Sequence, residues 1–192
     1  VDAVSIVVPT PHHYEVAKCF LEKGVHVLIE KPITTTVEQA QHLIDIANKN
    51  KTLIQVGHLE RFNNAIKALD SYLSKPRFIE SIRLAPFKLR GSDVNVVLDV
   101  MIHDIDIIQS LVKSDISNIS ASGASVLSPY IDIANARIEF KNGCVANVTA
   151  SRISPKTERT LRIFQHDCFI GLDLDKKRLS ILFVSCFITL TA

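Results

Sequence analysis

Apolar residues in the first third of the chain alternate between short continuous runs and segments with helical spacing. Residues 4–8 and 25–29 are continuous runs, which are typical of parallel strands buried on both faces. Helical patterns follow at 14–22 and 37–48, and 53–56 is a third short run. This order predicts a parallel α/β sheet with right-handed crossovers.

Residues with special backbone preferences separate these segments. Gly24 is expected to end the first helix, and Thr36 is expected to cap the second. Pro32 fixes the turn after the second strand, and its preceding peptide bond is of the type that can be cis. Ligands of such sheets bind beyond the carboxyl ends of the strands. Ligand-binding or catalytic residues are therefore expected in the segments 10–13, 30–32 and 57–61.

After Phe62 the pattern changes. Helices are predicted over 63–73 and 98–112, with a strand near 79–84 between them. Six strand-like runs follow, at 116–122, 131–140, 144–151, 159–164, 169–174 and 178–182. Asn142-Gly143 is a strong hairpin signal between two of them. The chain is thus predicted to combine an α/β domain over 1–63 with an α+β domain over 64–192, whose sheet is open and mainly antiparallel.

Composition narrows the class of protein. With 47% hydrophobic and 22% charged residues, the chain resembles an ordinary globular protein. Its formal charge of +2 is scattered, which argues against nucleic acid or an acidic membrane as a partner. The most apolar stretch, 181–190, is too short to span a bilayer. The chain starts without Met in an apolar run and ends after another, so both ends are interpreted as cuts through a longer protein.

The cysteines favour a reducing compartment. They show no CxxC pair and no zinc-ligand spacing, and we expect free thiols in a cytoplasmic protein rather than a disulfide framework. The four are Cys19, Cys144, Cys168 and Cys186.

The helix predicted over 98–112 carries a polar stripe on an otherwise apolar surface. The stripe contains Asp99, His103, Asp106 and Ser110. A carboxylate one turn from a histidine suits a general base, because it fixes the imidazole tautomer and stabilises the protonated form. A structural Asp-His pair explains the helix equally well on its own. A metal site is less favoured, because no third His or Cys ligand is near in sequence.

Lys31 stands where the second strand ends. A cation there can hold a substrate oxygen and stabilise a developing alkoxide. Taken alone, however, Glu-Lys-Pro after a strand is more often a solvated turn. The same alternative applies to residues 10–13 and to His58 and Arg61, which are more often surface residues than ligands.

Four segments, taken in order, resemble the glucose-fructose oxidoreductase, inositol dehydrogenase and rhizopine-catabolism family, known as the Gfo/Idh/MocA family. The matching segments are VPTPHHY at 8–14, GVHVLIEKP at 24–32, VGHLERF at 56–62 and LDVMIHDID at 98–106. The remaining, strand-rich part of the chain agrees with the family's C-terminal sheet in its type of secondary structure, without a matching motif.

This resemblance implies an enzyme that moves a hydride between NAD or NADP and a secondary alcohol of a sugar, cyclitol or nucleotide sugar. Residues 1–63 would be part of a Rossmann domain, and 64–192 a domain for substrate binding and oligomerisation. In the implied mechanism His103 takes the hydroxyl proton, Lys31 steadies the oxygen and Asp99 supports both.

The resemblance also implies a cofactor-binding set and a class of substrate. The cofactor-binding residues would be Thr10, Pro11, His13, Glu30, Lys31, His58 and Arg61. The residues of the last two motifs are most similar to those of family members that act on UDP-activated amino sugars or uronic acids. By analogy with the family, a homodimer or homotetramer is also expected.

One departure from the family pattern is serious. The chain contains no Gly-x-Gly, so the phosphate-binding turn and the residues that separate NAD from NADP are absent from it. We interpret the first βαβ region as missing from this sequence, and we expect the chain as it stands to bind a dinucleotide poorly or not at all and to be inactive alone. A general α/β protein whose motifs match by accident is one alternative, which four matches in order disfavour. A family member that no longer catalyses and serves as a binding or regulatory subunit is the other. Retention of Lys31, Asp99 and His103 together argues against that alternative.

Overall fold

The chain folds into two compact units. The computed structural model describes residues 1–87, 94–183 and the backbone of 187–191. Its contacts separate Val1–His58 from Leu59–Ala192, and each unit has its own buried core. The sequence pattern placed the boundary near residue 63. The contacts place it slightly earlier, because Glu60 and Arg61 pair with side chains of the second unit.

The first unit is a three-stranded parallel sheet with two helices. Its elements follow the predicted order: β1 (Ala3–Ile6), α1 (His13–Leu21), β2 (His26–Ile29), α2 (Val37–Asn50) and β3 (Ile54–Val56), with a 3-10 turn at Thr10–His12 before α1. The strands lie side by side in the order β1-β2-β3 and pair in parallel. Because consecutive crossovers have the same hand, both helices cover one face of this sheet. Leu21, Ile29 and Leu43 are fully buried between the helices and that face.

The ends of these helices follow from local sequence. Thr36 caps α2, as predicted, and its hydroxyl accepts a hydrogen bond from the Gln39 amide at 3.3 Å. Gly24, just beyond α1, has a φ of 76°, which glycine adopts without steric cost. The peptide bond before Pro32 is cis.

The second unit is an eight-stranded sheet. Its strands are β4 (Phe78–Leu84), β5 (Ile116–Ala124), β6 (Ile133–Phe140), β7 (Val145–Ser151), β8 (Glu158–Gln165), β9 (Cys168–Asp173), β10 (Arg178–Phe183) and β11 (Phe187–Thr191). They lie in the order β11-β10-β9-β8-β4-β7-β6-β5, and every neighbouring pair is antiparallel except β4 and β7. The mainly antiparallel sheet is thus confirmed. Gly143, with a φ of 85°, lies in the predicted hairpin turn between β6 and β7.

Helices cover one face of this second sheet. Residues alternate between buried and more exposed along β4, β6 and β7, as expected when only one face is packed. Ile107 and Ile108 of α4 (Ile102–Val112) and Ala65 of α3 (Asn64–Lys67) belong to the same core cluster as the buried strand residues.

Two helix predictions need correction. The segment predicted as one helix over 98–112 begins as a π-helix, Val97–Met101, and continues as α4. The prediction assumed uniform α-helical spacing, whereas i→i+5 bonding changes the register of side chains around Asp99. The helix predicted over 63–73 is α3 followed by a 3-10 turn at Ala68–Ser71. β11 was not predicted.

Three of the four cysteines lie in the described residues. Cys19, Cys144 and Cys168 are free thiols, as predicted, and Cys186 lies outside the described residues. None of the helices in the described part of the chain is both long and apolar enough to cross a membrane.

Candidate functional site

The strands of the first unit end at a common edge, where several predicted site residues stand. Thr10 and Pro11 form the turn after β1, Glu30 and Lys31 follow β2, and His58 comes shortly after β3. Parallel strands present their carboxyl ends on one side of a sheet. The fold of this unit therefore gathers these five residues at the edge where such sheets bind ligands.

His13 occupies a different environment from the other predicted residues of this edge. Its side chain is buried, with 1% of the residue exposed. Its Nε2 lies 2.8 Å from the carbonyl oxygen of Val8, and its Nδ1 lies 2.9 Å from that of Pro32. The imidazole thus bridges the loops that follow β1 and β2. Sequence reasoning did not find this bridge, and contact between His13 and a cofactor stays a prediction.

Glu30 approaches the backbone closely at Gly57. A Cβ added at Gly57 would lie 3.1 Å from the Oε2 atom of Glu30 and 3.2 Å from its Oε1. The Gly57 amide also donates to the Ile29 carbonyl at 2.7 Å. A side chain at position 57 would therefore require the Glu30 carboxylate to shift by a few tenths of an ångström.

Asp99 and His103 lie on the helical segment of the second unit. Asp99 is in the π-helix and His103 is in the first turn of α4, and both are half-buried. π-helical turns are rare and are found frequently at functional sites. The location agrees with the predicted roles, which stay predictions.

Asp106, another member of the predicted polar stripe, is bound to Arg61. The Arg61 Nε and Nη2 atoms each donate to the Asp106 carboxylate at 2.6 Å. The hydrogen bond with Asp106 raises the pKa of Arg61 above its usual value. This bidentate pair fastens the 3-10 turn Leu59–Phe62 to α4. Arg61 was predicted as a cofactor ligand, and the structure gives it this partner within its own unit.

A second carboxylate of α4 is paired deeper in the unit. Arg83 donates to Asp104 through Nε at 2.9 Å and through Nη2 at 2.8 Å. Both side chains are almost fully buried, at 5% and 2% exposed. Since Arg83 belongs to β4, this pair ties α4 to the centre of the sheet. It was not predicted, because neither residue falls in the polar stripe.

A third ion pair, also not predicted, supports the residues just before the π-helix. Asp132 is fully buried and accepts from the Nε of Arg152 at 2.8 Å, from the Ser128 hydroxyl and from three backbone amides at 126–128. Burial alone would raise the pKa of Asp132, but these bonds outweigh it and hold the pKa well below its usual range. Arg152 donates through Nη1 to the Val94 carbonyl at 2.6 Å. The pair thereby anchors the start of the segment that carries Asp99.

The fold and the site together define a class of protein. A parallel α/β unit with polar residues at the carboxyl edge of its strands is the arrangement in which Rossmann-type folds bind their ligands. Residues 1–58 match the family model described as oxidoreductase family, NAD-binding Rossmann fold, and residues 81–167 match the GFO/IDH/MocA C-terminal domain. The chain belongs to the Gfo/Idh/MocA oxidoreductase family.

Individual relatives agree with this assignment. UDP-N-acetylglucosamine 3-dehydrogenase of Acidithiobacillus ferrooxidans is 40% identical over 174 residues, which are 90% of this chain and 56% of that protein. Its solved structure superposes with a TM-score of 0.94 at 38% identity and covers 99% of this chain and 63% of that one. The scyllo-inositol 2-dehydrogenase (NAD(+)) of Bacillus subtilis is 28% identical over 81% of this chain and 50% of that protein.

A more distant structure has the same fold. The inositol dehydrogenase homologue of Azotobacter vinelandii, solved with NADH and myo-inositol, superposes with a TM-score of 0.90 at 21% identity. It is covered by this chain over 56% of its length. The chain thus spans between half and two thirds of the length of these relatives.

Proposed function

We propose that this protein takes part in hydride transfer between a nicotinamide dinucleotide and a secondary alcohol of a sugar substrate, with a UDP-activated amino sugar as the first class to test. The observation that carries the proposal is the 40% identity to a UDP-N-acetylglucosamine 3-dehydrogenase. The chain's own residues agree with it: Lys31 stands at the strand edge of the first unit, and Asp99 and His103 stand on the helical segment of the second.

The residues present suit one end of a dinucleotide. The Glu30 carboxylate, held beside Gly57, can accept hydrogen bonds from ribose hydroxyls, and Thr10 and Pro11 stand at the same edge. The sequence contains no Gly-x-Gly for the pyrophosphate, and it carries no residue that would distinguish NAD from NADP. When bound, the cofactor supplies the acceptor for the hydride.

The proposed mechanism assigns one role to each of three side chains. His103 accepts the proton of the substrate hydroxyl as the carbonyl forms. The Lys31 ammonium stabilises the negative charge that develops on the substrate oxygen. Asp99 orients the imidazole and stabilises its protonated form.

Turnover of a substrate panel tests this function. Because this sequence has no Gly-x-Gly for the pyrophosphate, the assay uses the full-length protein. It is given NAD or NADP with UDP-N-acetylglucosamine, a UDP-uronic acid or myo-inositol, and the absorbance of reduced nicotinamide is followed. We expect Lys31→Ala and His103→Ala each to lower turnover by about 10²-fold or more. Lys49→Ala, at an exposed position near the end of α2, is the control and should keep full activity. Full activity of either test variant, or no turnover of any substrate, contradicts the proposal.

We propose in addition that the chain self-associates into a homodimer or homotetramer through the face of the eight-stranded sheet opposite α3 and α4. Phe78, Phe164 and Phe169 form a cluster of tilted and edge-on rings there, and Phe164 and Leu182 are 37% and 49% exposed. Apolar surface of this kind is common at homodimer interfaces. Light scattering should detect dimers or tetramers, and monomer alone at working concentration contradicts the proposal.

The remaining expectations concern location and partners. We propose a cytoplasmic location, because thiols such as Cys19, Cys144 and Cys168 persist in a reducing compartment. Because the formal charge of +2 is small and scattered along the sequence, we propose neither nucleic acid nor an acidic membrane as a partner.

A further inference from the structure

His13 connects the two loops that carry most of the candidate residues of the first unit. Val8, one contact of the imidazole, lies two residues before Thr10. Pro32, the other contact, is covalently attached to Lys31. The imidazole therefore contacts the carbonyl group of Pro32, the residue that follows the proposed catalytic lysine.

Each ring nitrogen of His13 faces a carbonyl oxygen in this bridge. A neutral imidazole carries one N–H and can donate to one carbonyl oxygen, whereas a doubly protonated ring can donate to both. In either state each nitrogen faces a carbonyl oxygen within 2.9 Å, and the residue is 1% exposed. No ring nitrogen is therefore left to bind a cofactor or a substrate, so any influence of His13 on a ligand must be indirect.

We infer that His13 is a positioning residue that fixes Lys31 at the strand edge through the backbone of Pro32. The inference deepens the proposed function and rests on the role given there to Lys31. A buried carbonyl that loses its donor must move or remain unsatisfied, and both outcomes displace the adjoining loop. Because proximity effects in catalysis are steep, a shift of about 1 Å of a reacting group can cost about 10²-fold in rate.

Kinetics of His13→Gln separate positioning from direct contact. A Gln side chain can donate to one carbonyl but has no planar ring to span both loops. We expect kcat to fall by about tenfold or more, with KM for the dinucleotide changed by less than about threefold. A raised KM at unchanged kcat overturns the inference, because it assigns a direct contact with the cofactor.

The matched control is Tyr14→Phe, one residue further along the same helix. It removes the hydrogen bond between the Tyr14 hydroxyl and the Nδ1 of His42, which are 2.6 Å apart and exposed. This change perturbs α1 without touching the bridge, so it should leave kcat unchanged. A fall in kcat equal to that of His13→Gln would make the effect a general one of α1 and would contradict the inference.

Acylation of lysines tests the positioning without any turnover. The wild type, His13→Gln and His13→Ala are treated with acetic anhydride, and the rate at each lysine is read by mass spectrometry. Lys31 should be acylated about threefold faster or more in both variants, because its loop is no longer held. Lys23 and Lys49, both exposed, should react at unchanged rates.

The outcomes distinguish this inference from the proposed function. If Lys31→Ala keeps full turnover, the proposed function fails, whereas altered acylation of Lys31 in His13→Gln would still support the bridge. Unchanged acylation of Lys31 in a folded His13 variant overturns the inference even if Lys31 is catalytic. If circular dichroism shows that neither variant folds, His13 is a determinant of the fold and the positioning role is likewise overturned.

Discussion

The two compact units hold their candidate residues in different ways. In the first unit the residues follow strand ends, and contacts between a side chain and backbone carbonyls, such as the His13 bridge, fix their loops. In the second unit, buried or half-buried ion pairs hold α4 and the residues before the π-helix Val97–Met101 in place. These pairs join residues 20 to 45 positions apart in sequence. The order of strands thus places the first group, whereas long-range pairing places the second.

This difference has an energetic consequence. A buried ion pair is costly to desolvate and is weak evidence of net stability, but removing one partner leaves an uncompensated buried charge. The helix cap at Thr36 in the first unit involves no such charge. The second unit should therefore be much more sensitive to the loss of a single charged group.

The largest effect is expected from Asp104→Ala. This change leaves the guanidinium of Arg83, 5% exposed, without its bidentate partner. We expect a loss of about 3–5 kcal/mol in the free energy of unfolding, measured with urea. The double variant Arg83→Met with Asp104→Leu removes both charges and should recover most of this loss. A loss below about 1 kcal/mol for Asp104→Ala would mean that the pair is solvated, contrary to the structure.

An intermediate and pH-dependent effect is expected from Asp132→Asn. The pKa of Asp132 in the folded chain lies well below its unfolded value of about 3.9. Its ionised form therefore contributes stability that is fully present above about pH 4 and is lost as the pH falls towards the folded pKa. The amide side chain introduced by Asp132→Asn does not titrate in this range. The difference in free energy of unfolding between wild type and variant should therefore become smaller as the pH falls. Thermal unfolding from pH 7 to pH 3 measures this gap, and a constant gap contradicts the assignment.

The smallest effect is expected in the first unit, from Thr36→Ala. This change removes the hydrogen bond from the Gln39 amide to the cap of α2 and should cost about 1 kcal/mol. Thr36→Ser retains a hydroxyl and should lose only a small part of that. A loss as large as that from Asp104→Ala would remove the proposed contrast between the units.

Much of the fold could be predicted because its signals are local. The alternation of apolar runs and helical patterns predicted three parallel strands and two helices, and all five elements are present. Asn142-Gly143 predicted the β6–β7 hairpin, because few residue pairs suit such a turn. The π-helix at Val97–Met101 could not be predicted, because a helical wheel assumes constant spacing.

The candidate site was predictable only in part. Motif resemblance selected Lys31, Asp99 and His103. They lie on or next to the predicted elements, and their roles stay predictions. The resemblance did not identify the partners of neighbouring residues: Arg61 binds Asp106, and Arg83 binds Asp104. Nothing in the spacing of these residues marks them as pairs, because each pair forms only when distant segments are brought together.

The sequence by itself determined the elements, their order, the hairpin and the helix cap, because each of these depends on side chains a few positions apart. Tertiary structure alone decided that His13 spans two loops and that Asp132 meets Arg152 in the interior. Burial is the physical reason. A polar group removed from water must find a partner, and which partner is within reach depends on how the whole chain packs.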